Sequence, residues 1–241
     1  MLYPFKVNCI SRRFCIFCPD FFQKLNKDVY NLNFMNLIID LQYFPSVISF
    51  KNLNKFSNIV FDQYESYQKM SFRSRCRIVG AEGPIDLSVP LLKGRDQKTI
   101  MKDVRISGLQ PWQARHWKTI VSCYNRSPWF EFYRDELEDL YKRSFVYLLD
   151  WNLACFEWAL GMLKMTVPVS LSEGYRKEYD GKEWVDWRGK ILPKNSQKGA
   201  DPLDGVPLKY YQVFEDRIGF IPNLSILDLL FCEGKRAAEM L

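Results

Sequence analysis

The chain is poor in histidine, with one such residue, His116, among its 241 amino acids. A metal site built on several imidazoles is therefore excluded, although a site built only from carboxylates stays open. Both glycine-rich phosphate loops are also missing, since neither G-x-G-x-x-G nor G-x-x-x-x-G-K-[ST] occurs in the sequence. We accordingly predict no metal and no cofactor.

Long apolar runs are missing as well. The best candidate for a membrane span, residues 145–163, contains Asp150, Asn152 and Glu157 and is more typical of a core helix. The net charge of +6 is far below that of dense basic tails, so no nucleic-acid partner is expected. Cys15 and Cys18 form a C-x-x-C pair but lack the second ligand pair of a zinc site. Cys76, Cys123, Cys155 and Cys232 are expected to be buried free thiols in a reducing compartment. We predict a cytoplasmic protein, and the sequence does not define its oligomeric state.

Residues 1–34 differ from the rest of the chain. They show no clean period of 2 or 3.6, hold Cys9, Cys15 and Cys18, and carry five basic and two acidic side chains. The stretch MNLIIDLQYFPS, which begins at Met35, is typical of a first strand. We predict that residues 1–34 are an over-extended or disordered segment, with a targeting arm as the alternative. Residues 35–241 are then one domain.

The periodicity of that domain predicts an α/β fold. Strands at 36–41 and 58–62, joined by a short helix, predict a parallel pair. Apolar and polar residues alternate on either side of a turn at 80–84, which predicts a hairpin. Apolar residues at helical spacing follow Pro111, Ser127 and Asn223 and also occupy residues 145–163, which predicts four helices. We expect a mixed β-sheet with packed helices in a single domain, with α+β as the alternative. Residues 170–209 are predicted to be a long polar loop, which is often functional.

The most distinctive stretch for function is ESYQKMSFRSRCRI, residues 65–78. Side chains two apart in a strand share a face, so Arg73, Arg75 and Arg77 are expected to project together near Lys69. Guanidinium groups at that spacing repel one another unless anions lie between them. One interpretation is a pocket that binds an anionic small molecule. The other is a solvated strand face whose charge prevents edge-to-edge aggregation.

Two further features are candidates for chemistry. His116 has the side chain best suited to acid–base catalysis near neutral pH, but Trp112 and Ile120 at four residues' spacing also place it on an apolar helical stripe. It is either a general base or a packed core residue. In the stretch Asp186-Trp187-Arg188, an exposed tryptophan can stack on a sugar or base, or it can pin the polar loop to the domain.

An ordered series of short motifs resembles the WbqC-like protein family, in the form associated with Bacteroidetes-type bacteria. The motifs are QYFPSVISF, ESYQKMSFRSRCRI, LSVPLLKG, MKDVRIS, PWQARHWKTIVSCYNRSPWFEFY, LLDWN and IPNLSILDLLFCEG. Each is weak alone, but together they run in order over about residues 41–234. One departure is the segment after the first strand, where Ser46 and Ser49 stand in place of the family's aromatic residues.

The resemblance implies a role in bacterial surface-polysaccharide or O-antigen biosynthesis, and it implies no established reaction. The family pattern has the same residue types at the positions of Lys69, Arg73, Arg75 and His116. The first hypothesis is an enzyme of transferase type that acts on an anionic small molecule or activated sugar. The alternatives are a non-catalytic partner of a glycan biosynthesis cluster and, less favoured, a nucleic-acid-binding protein. The residues assigned to the enzyme are His116 and Glu65 as catalytic groups, with Tyr43, Lys69, Arg73, Arg75, Asp186 and Arg188 binding the substrate.

Overall fold

The computed structural model describes residues 34–92, 99–196 and 206–241. The prediction about residues 1–34 therefore falls, apart from Phe34, outside the described residues. No helix in the described ranges combines the length and the apolar character that a membrane span requires.

A four-stranded parallel sheet organises the fold. Its strands are β1 (Asn36–Ile39), β2 (Asn58–Phe61), β5 (Val169–Leu171) and β6 (Trp184–Asp186). Their order across the sheet is β5-β2-β1-β6, and every neighbouring pair is parallel. All four carboxyl ends therefore lie along one edge of the sheet.

A separate antiparallel hairpin consists of β3 (Arg75–Gly80) and β4 (Gly83–Ser88). On β3, Cys76 and Ile78 are buried and alternate with the half-buried Arg75 and Arg77. Asp86 of β4 lies directly opposite Arg77, which places a carboxylate beside the arginine on the same face of the hairpin.

The helices are mostly short, and three longer ones form the helical layer. These are α2 (Trp112–Tyr124), α3 (Phe130–Lys142) and α4 (Leu148–Leu163). The shorter ones are α1 (Val47–Lys51), α5 (Pro193–Ser196), α6 (Glu215–Ile218), α7 (Ile226–Glu233) and α8 (Ala237–Met240). Ser225 caps α7, because its side chain accepts a hydrogen bond from the Leu227 amide at 3.3 Å.

The hydrophobic core lies between the helices and one face of the parallel sheet. Leu37, Ile39, Ile59 and Phe61 belong to the core cluster, whereas the alternate residues of β1 and β2 do not. The ring of Phe61 packs edge-on against Phe156 of α4, with the centroids 4.9 Å apart. The helices thus cover the face of the sheet that carries these residues.

The predicted fold class is confirmed, since the protein is an α/β domain with both parallel and antiparallel strand pairs and packed helices. The two kinds of pairing lie in separate sheets. The prediction that residues 170–209 are one long polar loop needs correction, because this segment contains β6, α5 and most of β5. Strands of three residues are too short for their alternation to stand out in a polar sequence.

Candidate functional site

Polar side chains gather where the parallel strands end. Asp40 follows β1, Asp62 follows β2, Ser172 follows β5, and Asp186 is the last residue of β6. In open α/β sheets, ligands bind beyond the carboxyl ends of the strands. The two aspartates that follow β1 and β2 are 3% and 2% exposed, so both carboxylates need strong partners inside the protein.

Arg188 is the partner of two of these acids. Its guanidinium donates to Asp62 at 2.9 Å and to Asp186 at 2.7 Å. Burial alone would raise the pKa of Asp186, but the hydrogen bonds from Arg188 outweigh it and lower that pKa. The hydrogen bonds that Arg188 donates to Asp186 and Asp62 raise the pKa of Arg188 above its usual value. Ser172 completes the group by donating to Asp62 at 3.1 Å.

A second buried arginine lies next to this group. Arg73 is 1% exposed, forms a short ion pair with Glu65, and has its Nε atom 3.8 Å from Asp40. Burial raises the pKa of Glu65, and the neighbouring Arg73 lowers it only in part. The amide of Gly189 donates to Asp40 at 2.8 Å, which requires the left-handed conformation that glycine adopts at φ 63°.

The remaining arginines of the row line a basic pocket. The basic pocket lies beside the hairpin and has a volume of about 520 Å³. Its lining consists of Gln68, Lys69, Met70, Arg75, Arg77, Asp86, Leu192, Pro193 and Lys194. The expected row of three arginines therefore needs correction. Arg73 precedes β3 and turns into the interior, so only two of the three share the strand face.

The charge of the basic pocket is strongly unbalanced. Arg77 binds Asp86 through two nitrogens, at 2.7 and 3.0 Å, and so uses most of that carboxylate. Arg75 reaches the same carboxylate at 3.4 Å only. Within the described part of the chain, Lys69 forms no ion pair, and the exposed Lys194 adds a further positive charge. Four basic side chains therefore surround one acidic side chain.

His116 and Tyr43 lie elsewhere, in the aromatic core. His116 is 5% exposed, and its Nδ1 atom lies 3.0 Å from the hydroxyl of Tyr43, which is itself 2.6 Å from the hydroxyl of Tyr141. The ring of Trp112 packs edge-on against the imidazole at 5.2 Å. Neither His116 nor Tyr43 belongs to the lining of the basic pocket.

The surroundings of His116 set its protonation state. Burial, assisted by the charge of Arg115, lowers the pKa of His116 to about 4, and the backbone of Ser88 opposes this change. The imidazole is therefore neutral near pH 7. The structure favours the interpretation of His116 as a packed core residue, and its catalytic role stays a prediction.

The two tryptophans of the polar segment, Trp184 and Trp187, lie in different environments. Trp187 is 2% exposed and packs edge-on against Phe56 at 5.6 Å, so it fixes the segment to the core. Trp184, three residues earlier on β6, is the partly exposed one. Of the two alternatives for Trp187, the structure therefore favours pinning the segment to the domain, because the alternation along β6 turns that side chain toward the core.

The structure therefore unites some predicted site residues and separates others. Lys69 and Arg75 share the basic pocket. Arg73 with Glu65, and Asp186 with Arg188, form two ion-paired groups at the carboxyl edge of the sheet. Sequence reasoning missed Lys194, Asp40 and Asp62 as members of these sites. The two aspartates carried a usable signal, since each directly follows a strand of the predicted parallel pair. No group of residues in the described ranges is arranged to hold a metal ion.

These features define a class of protein, an α/β domain with a basic pocket beside the polar carboxyl edge of a parallel sheet. A family model described as the WbqC-like protein family matches residues 42–196. The match covers more than half of the chain, so the protein belongs to the WbqC-like family, and the resemblance seen in the sequence is confirmed. Neither a curated protein nor a solved structure gives a significant match.

Proposed function

We propose that the protein is an enzyme of transferase type that binds an anionic small molecule in the basic pocket. The observation that carries this proposal is the excess of basic over acidic side chains around a cavity of about 520 Å³. Like charges held together in a partly enclosed site repel one another, and a bound anion relieves that repulsion. Membership of the WbqC-like family favours a role in surface-polysaccharide biosynthesis, and the proposed substrate is an activated sugar or another anionic donor.

Lys69 and Arg75 are the proposed ligand-binding groups. Arg77 is already engaged by Asp86, and it also donates to the Pro193 carbonyl at 3.1 Å, which fixes one wall of the pocket. Arg75 makes only a long contact with that acid, so its guanidinium can bind phosphate or carboxylate oxygens in a bidentate manner. Asp186 and Arg188 then act by holding the sheet edge beside the pocket.

Glu65 is the proposed general base. It lies four residues before Lys69, outside the lining of the basic pocket, and forms an ion pair with Arg73. Its side chain is 29% exposed, and burial raises its pKa, which makes its carboxylate a stronger base. In the proposed reaction, Glu65 accepts the proton of an acceptor hydroxyl or amine while the acceptor atom bonds to the electrophilic carbon of the donor. The bond between that carbon and the leaving group breaks. The leaving group departs with the electron pair as an anion, which Lys69 and Arg75 hold.

The cytoplasm is the proposed location. Cys76, Cys123, Cys155 and Cys232 are buried and unpaired, as is usual in a reducing compartment.

A thermal-shift screen of the full chain tests the proposal. Nucleotide sugars, acyl donors, amino acids and inorganic pyrophosphate are the probes. We expect phosphate-bearing donors to raise the melting temperature, and to raise it further as their concentration increases, because a ligand that binds only the folded state stabilises it. We also expect Arg75→Gln to abolish that rise and Arg134→Gln, an exposed arginine of α3, to preserve it. If no anion raises the melting temperature, the proposal fails.

A non-catalytic partner role is the second candidate, and one observation favours it. A cavity of about 630 Å³ on α2 and α3 is lined by Trp112, Trp117, Tyr141 and Phe145, and exposed Val146 lies at its rim. Trp112 and Tyr141 are buried, but the partly exposed Trp117 and Phe145 and the exposed Val146 form apolar surface of the kind that is typical of contact sites. Stable co-purification with another biosynthetic protein, together with the absence of any ligand-induced melting shift, would favour this role over the enzyme.

A further inference from the structure

The second face of the parallel sheet mixes polar and apolar residues, with Asn36 and Asn58 next to the fully buried Ile38 and the buried Val60. Parallel sheets normally carry helices on both faces. Here the strand register places Asn36 beside Asn58 and beside Trp184, and it pairs Val60 with Ser170. These residues alternate with the core residues of the first face, and none of them belongs to the core cluster. In the described part of the chain, this face is bounded by the segment 173–184 and carries a cavity.

The cavity on this face has a volume of about 300 Å³, and we call it the sheet-face pocket. Its floor includes Asn36, Asn58 and Ser170, and its wall includes Tyr179 and Trp184. The amide of Asn58 donates to the Ser170 hydroxyl at 3.3 Å, which leaves the amide oxygen free to accept a hydrogen bond from a ligand. The volume is at the small end of ligand sites and suits a single ring better than a nucleotide sugar.

An aromatic wall stands beside these amide and hydroxyl groups. The ring centroids of Tyr179 and Trp184 are 4.8 Å apart, and the Arg188 guanidinium lies 4.9 Å from the centre of the Tyr179 ring. The same guanidinium donates to the carbonyls of Arg176 and Lys177, at 2.8 and 3.1 Å. Arg188 therefore fixes the segment that holds the aromatic wall onto the sheet edge.

The charge of the sheet-face pocket is balanced, in contrast to the basic pocket. The charged side chains in its lining are one acid, Glu173, and one base, Arg176. A neutral ligand with many hydroxyl groups matches such a lining, since amides and hydroxyls bond to its polar edge and an aromatic ring packs on its apolar face. From these features we infer that the sheet-face pocket binds a neutral sugar ring. The lining of the sheet-face pocket shares no residue with that of the basic pocket, so the inference does not depend on the proposed function.

Indole N–H signals in NMR spectra of the full chain provide the test. The probes are glucose, galactose, N-acetylglucosamine and uridine, each added to about 10 mM so that weak sites are populated. The Trp184 signal, assigned with Trp184→Phe, is expected to shift saturably with at least one sugar. Asn58→Ala, which alters β2 and leaves β6 intact, is expected to weaken that binding at least tenfold. The matched control is Trp117→Phe, a partly exposed tryptophan of another cavity, which should leave binding unchanged.

Three outcomes would overturn the inference. The first is that no sugar shifts the Trp184 signal while the spectrum shows a folded chain. The second is that uridine shifts it and the sugars do not, which would indicate a stacking site for a base. The third is equal sugar binding by the native chain and by a folded Asn58→Ala variant. Pyrophosphate binding at the basic pocket is measured separately, so failure of one site leaves the other testable.

Discussion

At the residue scale, the surroundings of the single histidine decide between its two interpretations, a general base and a packed core residue. His116 is held by Tyr43 and surrounded by aromatic rings, and its pKa is lowered to about 4 because burial disfavours the charged imidazolium. A general base is most effective when its pKa lies near the working pH. The lone imidazole therefore serves packing better than proton transfer near neutral pH.

A titration of His116 followed by NMR checks this account, and one histidine gives one unambiguous imidazole signal. We expect an apparent pKa near 4, and a higher value in Arg115→Gln, because the Arg115 charge contributes to the lowering. Since the folded pKa lies below the unfolded value of 6.5, the stability that His116 contributes is complete above pH 6.5 and is lost as the pH falls through about 4. Titration near 6.5 would contradict the buried, neutral imidazole.

A buried aspartate has the opposite effect on the pH dependence of folding stability, over much the same pH range. Asp228 of α7 accepts hydrogen bonds from Tyr124 and Tyr210, both at 2.7 Å, yet burial raises its pKa to about 6. Its stabilising contribution is complete below the unfolded pKa of 3.8 and is lost as the pH rises through about 6. The effects of Asp228 and His116 therefore partly cancel, which flattens the stability of the protein between about pH 4 and 6.

At the element scale, the end of α7 illustrates how one glycine fixes a helix against a neighbouring loop. Gly234 ends α7 with φ 58°, and a Cβ atom there would lie 2.2 Å from the Trp129 ring. The backbone amide of Trp129 also donates to the Phe231 carbonyl at 3.0 Å, so Trp129 contacts α7 through its backbone and the end of α7 through its ring. No other residue fits this close approach without movement of the tryptophan.

Gly234→Ala is accordingly expected to destabilise the protein by more than about 2 kcal/mol, from steric overlap and from the positive φ together. Chemical denaturation measures the change. Gly161→Ala in α4 is the matched control, because a Cβ atom there meets nothing within 4 Å and alanine favours helices. A loss in Gly234→Ala no larger than the change in the control would contradict this packing.

The elements also show where sequence reasoning succeeds. Alternation over six residues on each side of a turn predicts the hairpin, and long apolar periodicity predicts α2, α3 and α4. The strands β5 and β6 were not predicted, because each has three residues and depends on pairing with distant strands for its conformation. The different environments of Trp184 and Trp187 follow from the alternation along β6, a strand that the sequence pattern does not predict.

At the scale of the whole molecule, the sites depend on contacts that link segments far apart in the chain. Arg188 joins β6 to the end of β2, and Gly189 joins the same segment to the end of β1. The row of arginines was visible in the sequence, but Lys194 reaches the basic pocket from 119 positions beyond Arg75 (194 − 75). Only the folded chain assembles such a site, so the sequence indicated the basic strand without the rest of its pocket.

The central claim is that the basic pocket holds an anion between Lys69 and Arg75. Isothermal titration calorimetry with pyrophosphate tests it most directly on the native chain, Lys69→Gln, Arg75→Gln and the control Arg134→Gln. We predict one saturable site, weakened about tenfold or more by either pocket substitution and unchanged in the control, because each lost charge-assisted hydrogen bond is worth about 1.5–3 kcal/mol. Equal affinities in all four proteins, or no saturable binding to the native chain, would contradict the account.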